Sequence, residues 1–156
     1  MIRFRIGVGL ATLALVTAVA AFGMAQAGSA APRVATKPLV VGISLSLTGD
    51  FSDPGKAAMR GYQLWAAQAN AHGGVLGRQV QLKIVDDTSS PNQVVTNYQN
   101  LINRDHVDLV FGPFSTLLTA PAARVAYRYH YAFPEPAGGG PAVFAEHLNN
   151  VFFVQP

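Results

Sequence analysis

The chain contains no cysteine. Disulfides, thiolate metal sites and a lipidated cysteine are all excluded by that absence. Charge is sparse as well: 12% of the 156 residues are charged, and the net excess is +3. Two of the positive charges, Arg3 and Arg5, lie at the very start, and without them the excess falls to +1. So small a balance gives no basic stripe for nucleic acid and no field for an anionic membrane. The histidines (His72, His106, His130, His147) form no H-x-H or H-x-x-x-H pair, so no metal signature is present. Surface positions and the last turns of helices account for them. No internal repeat occurs.

Apolar residues are plentiful, at 50% of the chain, which suffices for the core of one ordinary domain. Part of that apolar content lies outside the fold. Residues 1–27 carry a basic start, an apolar run from Ile6 to Phe22, and Ala25-Gln26-Ala27. This is the pattern of a secretory signal peptide, with cleavage expected after Ala27. The run falls short of the roughly 20 residues of a membrane span. An exported chain without a lipidated cysteine fits the periplasm. Residues 28–37 (GSAAPRVATK) read as a flexible lead-in, and 38–156 as the folded lobe.

From Pro38 the pattern alternates strands and helices. Leu39–Ile43 is a continuous apolar run, the mark of a strand covered on both faces. A turn-rich loop, Thr48–Gly55, leads to a helix from about Lys56 to Ala71. Ala58, Tyr62, Trp65 and Ala69 share one face of it, with Met59 and Ala66 alongside, and core packing explains that stripe. Gly73-Gly74 ends the helix. Gln79–Val85 alternates polar with apolar, as an edge strand does. Ser90-Pro91 caps a helix running to about Arg104, with Val94, Val95, Tyr98, Leu101 and Ile102 inward. A strand over 107–111 follows, then a helix with Pro121 in its first turn. A short strand near 131–133, a helical turn over 143–147 and a strand over 151–154 complete the series.

That order predicts an α/β fold, a doubly wound parallel sheet with strand order 2-1-3-4-5. Loops 48–56 and 112–119 then flank the switch point, with 135–141 beside them, and ligands bind in such crevices. The stretch Asp108–Ala123 matters most. Its apolar strand stops at Gly112-Pro113, and Ser115-Thr116 opens the next helix, gathering unpaired N–H groups that suit a carboxylate or phosphate. The two hydroxyls either cap that helix, their commoner use, or add donors to a site.

Other chemistries lack support. Gly49–Lys56 is one residue too long for a phosphate-binding loop, and Ala57 stands where Ser or Thr would hold Mg²⁺. Gly138-Gly139-Gly140 is not a dinucleotide fingerprint. Asp86-Asp87 reads as a solvated turn. Phe114-Ser115 sits in no G-x-S-x-G, and no catalytic set is supported, so neither a cofactor nor an enzyme activity is expected.

A resemblance extends over essentially all of 38–156, and its marks stand in residues 38–116. The Leu47-Thr48-Gly49 turn, the Asn70-Ala71-His72-Gly73-Gly74 helix end with Gly77-Arg78, Asp86-Asp87 and the Gly112-Pro113-Phe114-Ser115 loop stand in order. Together they resemble the branched-chain-amino-acid-type substrate-binding proteins of ABC importers, with the type I periplasmic binding fold. The resemblance implies a two-lobed receptor that closes on a small molecule, a permease as partner, and a monomer when complete. This chain corresponds to most of the first lobe, without the second lobe, and is expected alone to bind ligand weakly or not at all.

It also implies a site. Ser115 and Thr116 would hold a ligand carboxylate. The carbonyl of Ala137 would accept from an ammonium, and the Gly139 N–H, next to Gly138, would donate to the carboxylate. Gly139 lacks the hydroxyl usual there, and Pro54 stands where an aromatic ring often covers the ligand. Phe51 and Phe114 would line the pocket instead. The implied ligand is an amino acid, or a related small amide or carboxylate. A ligand-sensing receptor of the same fold is the alternative, and an enzyme on a doubly wound sheet a more distant one.

Overall fold

The computed structural model describes residues 36–154. The expected leader, and all of the lead-in except Thr36 and Lys37, lie outside the described residues. Those two are tied down: the Thr36 hydroxyl donates to the Gly77 carbonyl, and Arg78 donates to the Lys37 carbonyl.

Among the described residues nine elements follow in order: β1 (Leu39–Leu45), α1 (Ser52–Ala71), β2 (Val80–Asp86), α2 (Pro91–Asn103), β3 (Leu109–Phe111), α3 (Thr116–Arg128), β4 (Phe133–Glu135), α4 (Pro141–Phe144) and β5 (Val151–Phe153). β1 is central. It pairs in parallel with β2 from Leu39↔Val80 to Leu45↔Asp86, and with β3 from Val41↔Leu109 to Ile43↔Phe111. As its continuous apolar run implies, β1 is covered on both faces. Leu39, Val41, Ile43 and Leu45 pack with Tyr62 and Ala66 of α1. The opposite core joins Val94, Tyr98 and Leu101 of α2 to Leu118, Ala122 and Val125 of α3, with Val110 and Phe133. The alternating segment β2 is the sheet edge, as its pattern predicts.

The order 2-1-3-4-5 is followed, but in two pieces. β2-β1-β3 form one sheet and β4-β5 a second parallel pair. They adjoin where the Gly112 N–H donates to the Pro134 carbonyl at 2.8 Å. Two prolines explain the break: Pro113 and Pro134 have no N–H, so neither can extend a ladder between β3 and β4.

Some boundaries differ from expectation. α1 begins at Ser52, four residues before Lys56, because Pro54 fits a first turn whose N–H groups need no intrahelical acceptor. β4 lies at 133–135 and α4 at 141–144, each about two residues from its expected place. Pro121 sits inside α3 rather than in its first turn. It withholds the N–H that would meet the Leu117 carbonyl. Leu117 is exposed, so water can take that acceptor.

Asp86-Asp87 is not a solvated turn. Asp87 is fully buried and accepts from the Ser46 hydroxyl (2.6 Å), the Ser44 hydroxyl (3.2 Å) and the Ser89 N–H (3.0 Å). Asp86 accepts from the N–H groups of Leu47, Thr48 and Thr88 and from the Thr48 hydroxyl. The pair ties the end of β2 to the chain leaving β1, which fixes the approach to Phe51. Burial draws the Asp87 carboxyl above its ordinary range. At Asp86 burial pulls the same way, but the Thr48 hydroxyl and the three N–H groups outweigh it and hold the carboxyl low.

Candidate functional site

The loops that leave the carboxyl ends of β1, β3 and β4 lead to the expected site residues. Phe51, which closes the β1 loop, meets Phe114 of the β3 loop edge-to-face, with ring centroids 6.1 Å apart. Both rings are partly buried. Pro54 does not join them in a loop; it occupies the first turn of α1.

Ser115 stands at the N-cap of α3 but does not cap it. Its backbone, at φ 77° and ψ 141°, lies where residues with a side chain are strained. That conformation turns the hydroxyl away from the first turn, and its oxygen is buried with no hydrogen-bond partner. The commoner reading of this serine, a helix cap, is thereby corrected. Thr116 behaves differently, with its hydroxyl accepting from the Gly140 N–H at 3.1 Å.

The β3 and β4 loops are joined. The Ser115 N–H donates to the Ala137 carbonyl at 3.3 Å, which leaves that carbonyl one lone pair for another donor. Gly138 is buried, and a side chain there would overlap the Thr119 hydroxyl and the Ser115 carbonyl. Gly139 faces the ring of Phe153, which in turn meets Phe144 edge-to-face at 5.7 Å. The structure therefore brings Ser115, Thr116, Ala137, Gly138 and Gly139 together beside Phe114 and Phe51. Beside Ala137, an apolar concavity of about 490 Å³ is lined by Tyr62, Trp65, Phe111, Pro134 and Pro136.

Beneath both loops lies Glu135, which sequence reasoning passed over. It is fully buried on β4. One carboxyl oxygen accepts from the Ala137 N–H (2.6 Å), and the other contacts the Thr119 hydroxyl (2.9 Å). Gly112 makes room for it, since any Cβ there would overlap the carboxyl. Burial raises the acid to about 7 against the opposing hydrogen bonds of Ala137, Thr119 and Gly138. The available signal was an acid between two prolines (Pro134-Glu135-Pro136), next to an apolar run. Among the described residues, no group of acids and histidines could hold a metal ion.

In a parallel α/β fold, loops that converge at the carboxyl ends of the strands form the crevice where ligands bind. Residues 38–151 match the periplasmic binding protein family, and the chain belongs to that family. Its members are extracytoplasmic substrate-binding proteins. The chain is 28% identical over 114 residues to a Leu/Ile/Val-binding protein homolog of Brucella melitensis, covering 73% of this chain and 31% of the relative. Its fold is similar to a branched-chain amino acid transporter substrate-binding protein of Streptococcus pneumoniae in complex with isoleucine. There the TM-score is 0.70 and the identity 24%, over 75% of this chain and 33% of that one. A solute-binding protein of an ABC transporter from R. palustris, in complex with benzoate, is similar at TM-score 0.65 and 26% identity, over 74% and 32%. The chain spans about a third of the length of these relatives.

Proposed function

We propose that this chain supplies the first lobe of a non-catalytic, extracytoplasmic solute-binding protein serving an ABC importer. The ligand is a small carboxylate: an amino acid of the branched-chain type or a related acid or amide. The observation that carries this reading is the Ser115 hydroxyl, buried without a partner at the start of α3, beside the loop that holds Ala137 and Gly139. A polar atom so placed is costly unless something donates to it or accepts from it. A carboxylate is a fitting partner, because the Thr116 and Leu117 N–H groups at a helix start have no acceptor within the helix.

Phe51 and Phe114 supply the apolar wall, and Ala137 keeps a lone pair for an ammonium. Gly139 has an N–H but no hydroxyl, and Phe153 stands over it. Those two residues leave room for an acid without an ammonium, such as benzoate. The partner is a membrane permease, and the second lobe belongs to the rest of the receptor. Thermal unfolding of the full gene product with leucine, isoleucine and benzoate in turn is the test. At least one should raise the midpoint by binding the native state alone, and no response to any of them would refute the reading.

A further inference from the structure

The Thr119 hydroxyl lies 2.9 Å from the Ser115 carbonyl and 2.9 Å from a carboxyl oxygen of Glu135. Both neighbours accept hydrogen bonds when Glu135 is ionised, and a hydroxyl carries one proton. It can then satisfy one of them only. If Glu135 is protonated, its O–H donates to Thr119, Thr119 donates to the Ser115 carbonyl, and both contacts are made. The other carboxyl oxygen accepts from the Ala137 N–H in either form. The Ser115 carbonyl likewise keeps the Thr119 N–H at 3.0 Å.

We propose that Glu135 is a positioning residue of the site, whose proton sets, through the Thr119 hydroxyl, the hydrogen bonding of Ser115. The lobe then has two forms. In the protonated form the chain Glu135–Thr119–Ser115 is complete, and in the ionised form Thr119 turns back toward Glu135.

The surroundings favour the proton. Glu135 is fully buried, and none of the ion pairs among the described residues includes it. α1 presents Tyr62, whose hydroxyl donates to the Gly112 carbonyl, and α2 presents Tyr98, whose hydroxyl donates to the Phe111 carbonyl. Burial pushes both phenols up, and each feels the Glu135 charge. The loop after β3 offers Gly112 and α3 offers Thr119, neither of them charged. Asp87, beyond β2, acts on Tyr98 and adds a further negative charge. Burial raises the acid to about 7, so the exchange falls near neutral pH.

The consequence for binding rests on the proposed function. A ligand carboxylate at Ser115 would add a like charge near Glu135 and favour the protonated form. Ligand uptake and proton uptake would then be coupled.

The relay itself needs no ligand to test. The Ser115 carbonyl carbon and the Ala137 amide nitrogen are followed by NMR in the labelled full chain from pH 5 to 9. In wild type both should move together with a midpoint near 7. Glu135→Gln, whose amide can donate to Thr119 and accept from Ala137, should hold both still. Thr119→Val should leave the Ala137 response and abolish that of Ser115, while Thr119→Ser keeps both. Resonances that stay still in wild type, that titrate alike in Glu135→Gln, or that still titrate at Ser115 in Thr119→Val overturn the proposal. Should Glu135→Gln fail to fold, the two Thr119 variants decide it. An intact titration in a gene product that answers to none of leucine, isoleucine and benzoate would overturn the proposed function and leave the relay standing.

Discussion

The ring of Phe153 occupies the space in front of Gly139 that a side chain would need. A serine at 139 would meet that ring at once. Phe153 is 44% exposed and can swing away, so Gly139→Ser should cost only about 1 kcal/mol, the low end for overpacking. Phe153→Ala should remove most of that cost. Urea unfolding of the two single variants and the double variant gives the coupling between them, and simple additivity would mean that the two sites are independent.

Glu135 should make stability depend on pH. Its carboxyl is raised from 4.5 to about 7 in the fold, so the native state holds a proton that the unfolded chain has lost. The contribution is complete below pH 4.5 and is lost as pH rises through 7, a change of about 3 kcal/mol. Asp87 is shifted in the same direction, while Asp86 and Asp108 are shifted the opposite way, so wild type alone does not isolate the effect. The difference between Glu135→Gln and wild type does. Glu135→Gln should gain on wild type between pH 5 and 8 in urea titrations, and a constant difference would contradict the assignment.

Asp87→Ala should be severe. The change strips partners from the buried Ser44 and Ser46 hydroxyls and from the half-buried Ser89 N–H. Leaving buried donors unpaired costs about 1–3 kcal/mol each, so a loss of about 3 kcal/mol is expected in the urea midpoint. A change under about 1 kcal/mol would mean that water reaches the network.

Ser115→Gly should separate stability from binding. Glycine accepts a φ of 77° without strain, and the change also removes the unpartnered buried oxygen. Relief of the strain should stabilise the chain by about 1 kcal/mol. Ligand affinity should fall at the same time, as happens where function holds a residue away from its stability optimum. A variant that is both more stable and equally tight in calorimetry would show that the strain serves no site.

The layers of this lobe were legible in the sequence because both faces of β1 are apolar and α1, α2 and α3 keep a helical period. The convergence of the 112–116 and 135–141 loops followed from topology alone. What stayed hidden depended on pairings between distant residues. Asp87 is turn-like by residue type, and only the Ser44 and Ser46 hydroxyls across the sheet make it a buried acceptor. Glu135 was assigned to a loop because β4 lies two residues later than its apolar run suggested. The Ser115 hydroxyl looked like a cap because spacing does not reveal a positive φ.

Calorimetric titration of leucine and of benzoate into the full gene product, with wild type and Ser115→Ala side by side, asks whether Ser115 holds the ligand. Alanine meets much the same backbone demand as serine, so the comparison isolates the hydroxyl. Wild type should bind at least one of the two, and Ser115→Ala should bind it about ten- to a hundredfold more weakly, as expected for losing a hydrogen bond to a charged group. Equal affinity in the two proteins would place the ligand elsewhere and reduce Ser115 to a feature of the fold.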